Sequence, residues 1–117
     1  MTPAQPTRTF SALADLSRCR VVERLAERPA SAGELATLAG LTASSMSRHL
    51  KVLLDAGLVV DERGSTDARV RMFRLRPDEI DASAEWIARI SQHWQTNLAS
   101  FARHVVDETS HARGERR

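Results

Sequence analysis

The stretch Leu41-Thr-Ala-Ser-Ser-Met-Ser-Arg-His-Leu-Lys-Val-Leu-Leu-Asp-Ala-Gly-Leu58 decides the fold. Thr42 is a strong helix N-cap and Gly57 a strong C-terminal stop. Between them Met46, Leu50, Leu53 and Leu54 recur at helical spacing and form one apolar stripe. At about 100° per residue, Ser44, Ser45, Arg48 and Lys51 fall roughly opposite it. These are small hydroxyls and cations, with no acid before Asp55. Such a face suits a groove wall, because small residues allow close approach and hydroxyls and cations bond phosphates and base edges. An ordinary solvated helix face has similar composition, so the flanking elements decide between the two readings.

Upstream, Ser31-Ala-Gly-Glu34 has the form of a capping box. A short helix follows, with Leu35 and Leu38 inward, and stops at Gly40. Two helices joined by a short Gly-containing turn make a helix-turn-helix, whose second helix enters the major groove. Further upstream, Phe10, Leu13 and Leu16 start a short helix. Asp15 or Ser17 caps another that carries Val21, Val22 and Leu25 and ends at Arg28-Pro29. Residues 1–8, with two prolines, read as a flexible tail.

Downstream, Leu58, Val59 and Val60 favour a strand, Gly64 to Asp67 is turn chemistry, and Arg69, Val70, Arg71 and Met72 alternate as a second strand. The alternation slips between Met72 and Phe73, which predicts a bulge or twist. This is a two-stranded hairpin, a wing at 63–72. Its Arg63, Arg69 and Arg71 would lie on a DNA backbone or reach a minor groove. The alternative is a hairpin merely kept soluble by arginine.

Pro77-Asp-Glu opens a long helix. Ile80, Ala84, Ile87, Ser91, Trp94, Leu98, Phe101 and Val105 alternate in steps of four and three, a seven-residue repeat. A seam of this length, with Ile87, Trp94, Leu98, Phe101 and Val105 in it, predicts packing on a second copy rather than only on its own domain. The domain runs over 9–109, and 110–117 reads as a flexible basic tail.

Composition fits this reading. The chain has 117 residues, a net charge of +2, 42% hydrophobic residues and only 4% aromatic ones. That supports one domain with an aliphatic core. Charge is uneven: residues 42–51 and 68–76 each hold arginines or lysine without an acid, which points to nucleic acid. The single Cys19 excludes an intramolecular disulfide and fits a reducing compartment. With no long apolar run, the chain reads as cytoplasmic with no membrane partner. No nucleophile–base–acid set or phosphate loop is visible, so an enzyme is not expected.

The Ser44-Ser-Met-Ser-Arg-His-Leu-Lys segment followed by Ala56-Gly-Leu58, the stretch Phe10-Ser-Ala-Leu-Ala-Asp15 and the wing ending Phe73-Arg-Leu75 resemble the ArsR/SmtB winged-helix repressors. The resemblance covers about residues 9–108. It implies a mostly α fold with a small β-hairpin: a winged helix-turn-helix with a long C-terminal dimerisation helix. It implies a homodimeric repressor of transcription. By the same resemblance Ser44, Ser45, Ser47, Arg48 and His49 fall on the DNA-reading helix, and Arg69 and Arg71 in the wing. Thr42 and Lys51 complete the expected DNA-binding set.

Metal-sensing members resembling this chain carry a Cys-x-Cys motif on the first helix of the helix-turn-helix. Here Glu34 to Gly40 contains no cysteine. Others pair Asp-x-His with His-x-x-Glu on the last helix; here Ser91-Gln-His93 and His104-Val-Val-Asp107 stand in similar places. His93 and His104 share a helix face with Asp107 nearby, but that face lies roughly 120–180° from the centre of the apolar seam. No metal or other cofactor is therefore expected. Two alternatives stay open: a zinc-responsive repressor using His93, His104 and Asp107, and a winged-helix protein-interaction module. Neither the operator nor an effector can be read from these residues.

Overall fold

The structure is a computed structural model that describes residues 6–62 and 71–115, with the side chains of 110–115 left aside. The elements in order are α1 (Pro6–Leu13), α2 (Leu16–Leu25), β1 (Ala30–Ser31), α3 (Ala32–Ala39), α4 (Ala43–Asp55), β2 (Val59–Glu62), β3 (Met72–Leu75) and α5 (Asp78–Glu115). The chain divides into two units, Met1–Ser83 and Ala84–Arg117.

In the first unit the helices pack through one aliphatic core. Val21, Leu35, Met46, Leu53 and Leu58 are fully buried, with Phe73 the one large ring among them. Met46, Leu50 and Leu53 are the buried side of α4, as the stripe predicts; Leu54 is half-buried at its edge. Burying a side chain of this size contributes about 1.5–3 kcal/mol, so the core orients α4 firmly.

Local chemistry sets the helix ends. The Asp15 carboxylate accepts from the Arg18 N–H at 3.0 Å, and this choice of cap places Leu16 at the start of α2 rather than in α1. The Ser31 hydroxyl accepts from the Glu34 N–H, and Thr42 from the Ser45 N–H. Only half of the expected capping box forms, because the Glu34 carboxylate turns to Arg24 at 3.4 Å. Gly40 adopts φ +67°, and the Leu41 N–H then reaches the Ala36 carbonyl. This left-handed close fixes the turn between α3 and α4.

Several expectations are corrected. α1 begins at Pro6, inside the expected tail 1–8, and Thr9 and Ala12 are its buried positions. Proline suits a first helical turn, where its missing N–H costs nothing. Leu38 is 50% exposed, and Ala36 takes the inward place beside Leu35. Among the described residues the sheet has three strands in the order β1-β3-β2, not two. Ala30 pairs with Phe73 and Ser31 with Met72 in an antiparallel bridge. Between β2 and β3 the register runs unbroken from Glu62–Met72 to Val59–Leu75, so no extra residue interrupts it at Met72 and Phe73.

The second unit is α5 beyond Ser83. The helix opens with Asp78, Glu79 and Asp81 in its first turn, acids that complement the helix dipole. It continues to Glu115, past the expected boundary at 109. No proline interrupts that stretch and glycine arrives only at Gly114, so the backbone has no cause to stop earlier. No helix among the described residues is long and apolar enough to cross a membrane.

Candidate nucleic-acid interface

Thr42 stands at the N-cap of α4, and Ser44, Ser47, Arg48 and Lys51 are exposed along the helix behind it. Ser45 is half-buried; its N–H is taken by the Thr42 hydroxyl, which also lies 3.4 Å from the Ser44 hydroxyl. Among the described residues Arg48 and Lys51 form no ion pair, so both charges remain available to an anion. The exposed face therefore carries hydroxyls at the N-terminal end and two open cations further on. A helix entering a major groove reads with its N-terminal part, where Ser44, Ser47 and Arg48 lie, with Lys51 one turn beyond Ser47.

His49 departs from this set. Its side chain is only 20% exposed, and its Nδ1 lies 3.1 Å from Arg18 Nη1 and 3.8 Å from Asp15 Oδ1. It faces α2 rather than the open face. The angle could have been read from sequence: His49 lies about 60° from the centre of the buried stripe, whereas Arg48 lies nearly opposite it.

The wing is described at its base. Arg63 and Arg69 lie outside the described residues. Arg71 is exposed and donates through Nε and Nη2 to Asp61 Oδ2, at 3.0 and 2.6 Å. Its guanidinium also sits 5.2 Å from the centre of the Phe73 ring. The stretch that is free of acids in sequence is not free of them in space. Arg74 pairs with Glu62 at 3.4 Å and Arg76 with Asp78 at 3.5 Å. Cross-strand pairing brings in acids that a linear count of 68–76 omits. A cleft of about 430 Å³ separates α4 from the wing base, lined by Ser47, Lys51, Leu50, Leu54, Arg71 and Phe73 among others. Lys51 and the Ser47 hydroxyl open onto it, together with the Asp55 carboxylate and Arg71, whose guanidinium is held by Asp61.

On α5, Ile87, Ile90, Trp94, Leu98, Phe101 and Val105 are exposed in the single chain, Trp94 by 62% and Phe101 by 64%. His93 Nε2 lies 3.3 Å from the Asn97 amide, and His104 Nε2 lies 3.0 Å from Glu108 Oε1. Eleven residues of helix separate the two histidines by about 16 Å, too far to share one ion within a chain. Among the described residues no three His, Cys, Asp or Glu side chains gather as a metal site.

Comparison with known proteins agrees with this geometry. A model of the helix-turn-helix domain matches residues 6–62. The HTH-type transcriptional regulator Rv2034 of Mycobacterium tuberculosis is 36% identical over 103 residues, spanning 88% of this chain and 91% of that protein. The crystal structure of an ArsR family transcriptional regulator, RHA00566, superposes with a TM-score of 0.70 at 29% identity, covering 81% of this chain and 95% of that one. An ArsR-like transcriptional regulator from Rhodococcus sp. RHA1 gives 0.73 at 27% identity, over 83% and 86% of the two chains. The chain thus belongs to the ArsR family of winged helix-turn-helix, DNA-binding transcriptional regulators.

Proposed function

We propose that this regulator is a homodimeric repressor that binds a palindromic operator, with α4 of each subunit in a major groove and the wing on the backbone or in the minor groove. The observation that carries this reading is the exposed face of α4. Ser44, Ser47, Arg48 and Lys51 lie together on it, and the core fixes the opposite side of the same helix. Thr42 and Ser45 at the helix start supply further donors to the backbone. Arg71 supplies phosphate contacts, as the sequence expects also of Arg63 and Arg69, which lie outside the described residues. Ile87, Trp94, Leu98, Phe101 and Val105 supply the dimer contact. Their exposure in one chain is what a self-complementary interface leaves open.

Nuclease footprinting on DNA immediately upstream of the gene tests this reading. Two protected half-sites, centred about one helical turn or a multiple of it apart, are expected. Reporter expression from that DNA should fall when the protein is supplied. Protection of a single unrepeated site contradicts the dimer reading, and a rise in expression contradicts repression. The apolar α5 face also fits a different protein partner. The two open cations on α4 favour DNA, since a protein-interaction module has no need of them.

A further inference from the structure

Arg18 sits where three elements meet. Its Nε donates to the Ala12 carbonyl at 2.6 Å, at the last turn of α1. Its backbone N–H donates to Asp15 Oδ1, the cap of α2. Its Nη1 reaches His49 Nδ1 at 3.1 Å, on α4, across 31 residues of chain. We infer that Arg18 is a positioning residue for DNA binding: it ties α4 to the α1–α2 junction through His49, and it does so only while His49 is neutral. The inference rests on α4 being the DNA-reading helix.

The chemistry follows from what each atom can do. An arginine has donors and no acceptor, so its bond to His49 requires a lone pair on Nδ1 and places the ring hydrogen on Nε2. A proton arriving at Nδ1 fills that lone pair. The bond is lost, and two cations then face each other at hydrogen-bond distance. Asp15 is the nearest group able to accept the new N–H, 3.8 Å away. Its Oδ1 is already engaged by the Arg18 N–H, a bond that together with the nearby charges holds its carboxyl below the ordinary value. Protonation therefore breaks the Arg18 contact and draws the ring toward Asp15, whose carboxylate can accept from both N–H groups, so α4 is held in a different place against α2. The other charged groups nearby do not relieve this. Arg48 and Lys51 are on the open face of α4, and Arg8 of α1 shares a cleft with Val52 and Asp55, further along α4.

The sign of the predicted effect is unusual for a DNA-binding protein. Protonating a histidine adds positive charge, which ordinarily favours a polyanion. Here protonation of His49 exchanges its Arg18 contact for Asp15, shifts the helix that reads the DNA and weakens binding. Histidine is the side chain that changes charge between pH 5 and 8, so the window is accessible.

The test is fluorescence anisotropy of the full chain on operator DNA, at constant ionic strength, at pH 8.0 and pH 5.5. Circular dichroism verifies folding at each pH. The readout is the ratio of Kd at the lower pH to Kd at the higher. Wild type is expected to weaken about tenfold, or about 1.4 kcal/mol in binding free energy. H49N keeps an acceptor oxygen near the Nδ1 position and cannot be protonated, so its ratio should stay near one. R18K has a single ammonium in place of a fork and cannot hold Ala12 and His49 together, so its ratio should also flatten. A merely structural role for Arg18 would change Kd in R18K and leave the ratio at the wild-type value. Tighter binding of wild type at pH 5.5 overturns the proposal, as does a tenfold ratio retained by both variants. No preference of wild type for operator over unrelated DNA at pH 8.0 overturns the reading of α4, and the proposal with it.

Discussion

Replacing Trp94 by alanine should dissociate the proposed dimer without unfolding the first unit. Trp94 is 62% exposed in one chain and lies near the centre of the α5 seam. A tryptophan buries about 150–250 Å², so covering the exposed part removes roughly 130 Å² from water. At about 25 cal/mol per Å² this contributes about 3 kcal/mol. A two-fold interface contains the residue twice, which doubles the loss to about 6 kcal/mol and sets an upper estimate near four decades in Kd. Partial coverage in the dimer lowers this, so an increase of about 10² to 10⁴ is expected. Sedimentation equilibrium over a protein concentration series measures it directly. Arg89, nearly opposite the seam at 100° per residue, provides the control and its alanine variant should sediment as wild type. A Trp94→Ala Kd within tenfold of wild type would refute the reasoning, since a central exposed indole would then not be in the interface.

Three further outcomes follow from the first unit. Leu53→Ala, at a fully buried position of α4, should lose about 2–5 kcal/mol in chemical denaturation, because surrounding atoms cannot fill the cavity; a loss below 1 kcal/mol would place α4 on a looser core. Gly40→Ala meets no atom within 4 Å, so its cost should be the left-handed backbone alone, about 1 kcal/mol by thermal unfolding. The Asp15 carboxyl has a lowered pKa in the folded state, chiefly through the Arg18 N–H. The stability it contributes is present above the unfolded value of 3.8 and is lost as pH falls through the lower folded value. Asp15→Asn keeps a capping oxygen and removes the charge. The difference in unfolding free energy between wild type and this variant should therefore narrow on acidification through that range, and a constant difference would contradict the assignment.

The elements that were legible in the sequence are those whose cause is local. Thr42, Ser31 and Asp15 announce helix starts through the atoms that accept the first N–H groups, and Gly40 announces a stop through its positive φ. The α4 stripe was legible because period and burial agree at Met46, Leu50 and Leu53. What escaped depends on partners distant in the chain. β1 is two residues, Ala30 and Ser31, recognisable as a strand only once β3 lies beside it. The ion pairs of Arg71, Arg74 and Arg76 need the sheet register and the start of α5 before Asp61, Glu62 and Asp78 come near. His49 was assigned by its place in a motif, although its angle and its contact with Arg18 turn it inward. Leu38 shows the reverse: a helical spacing that looks apolar-inward yields an exposed leucine, because α3 is only eight residues long and Leu35 and Ala36 already fill its contact.

The most direct test of the central claim compares wild type with Arg48→Ala on upstream DNA against unrelated competitor DNA. Arg48 is exposed on α4 and forms no ion pair among the described residues, so its removal should leave the melting temperature nearly unchanged. Operator affinity should fall by about 1–3 kcal/mol, about 5- to 150-fold, and preference over competitor should fall with it. A variant that binds operator as tightly and as selectively as wild type would contradict the assignment of this face of α4 to DNA.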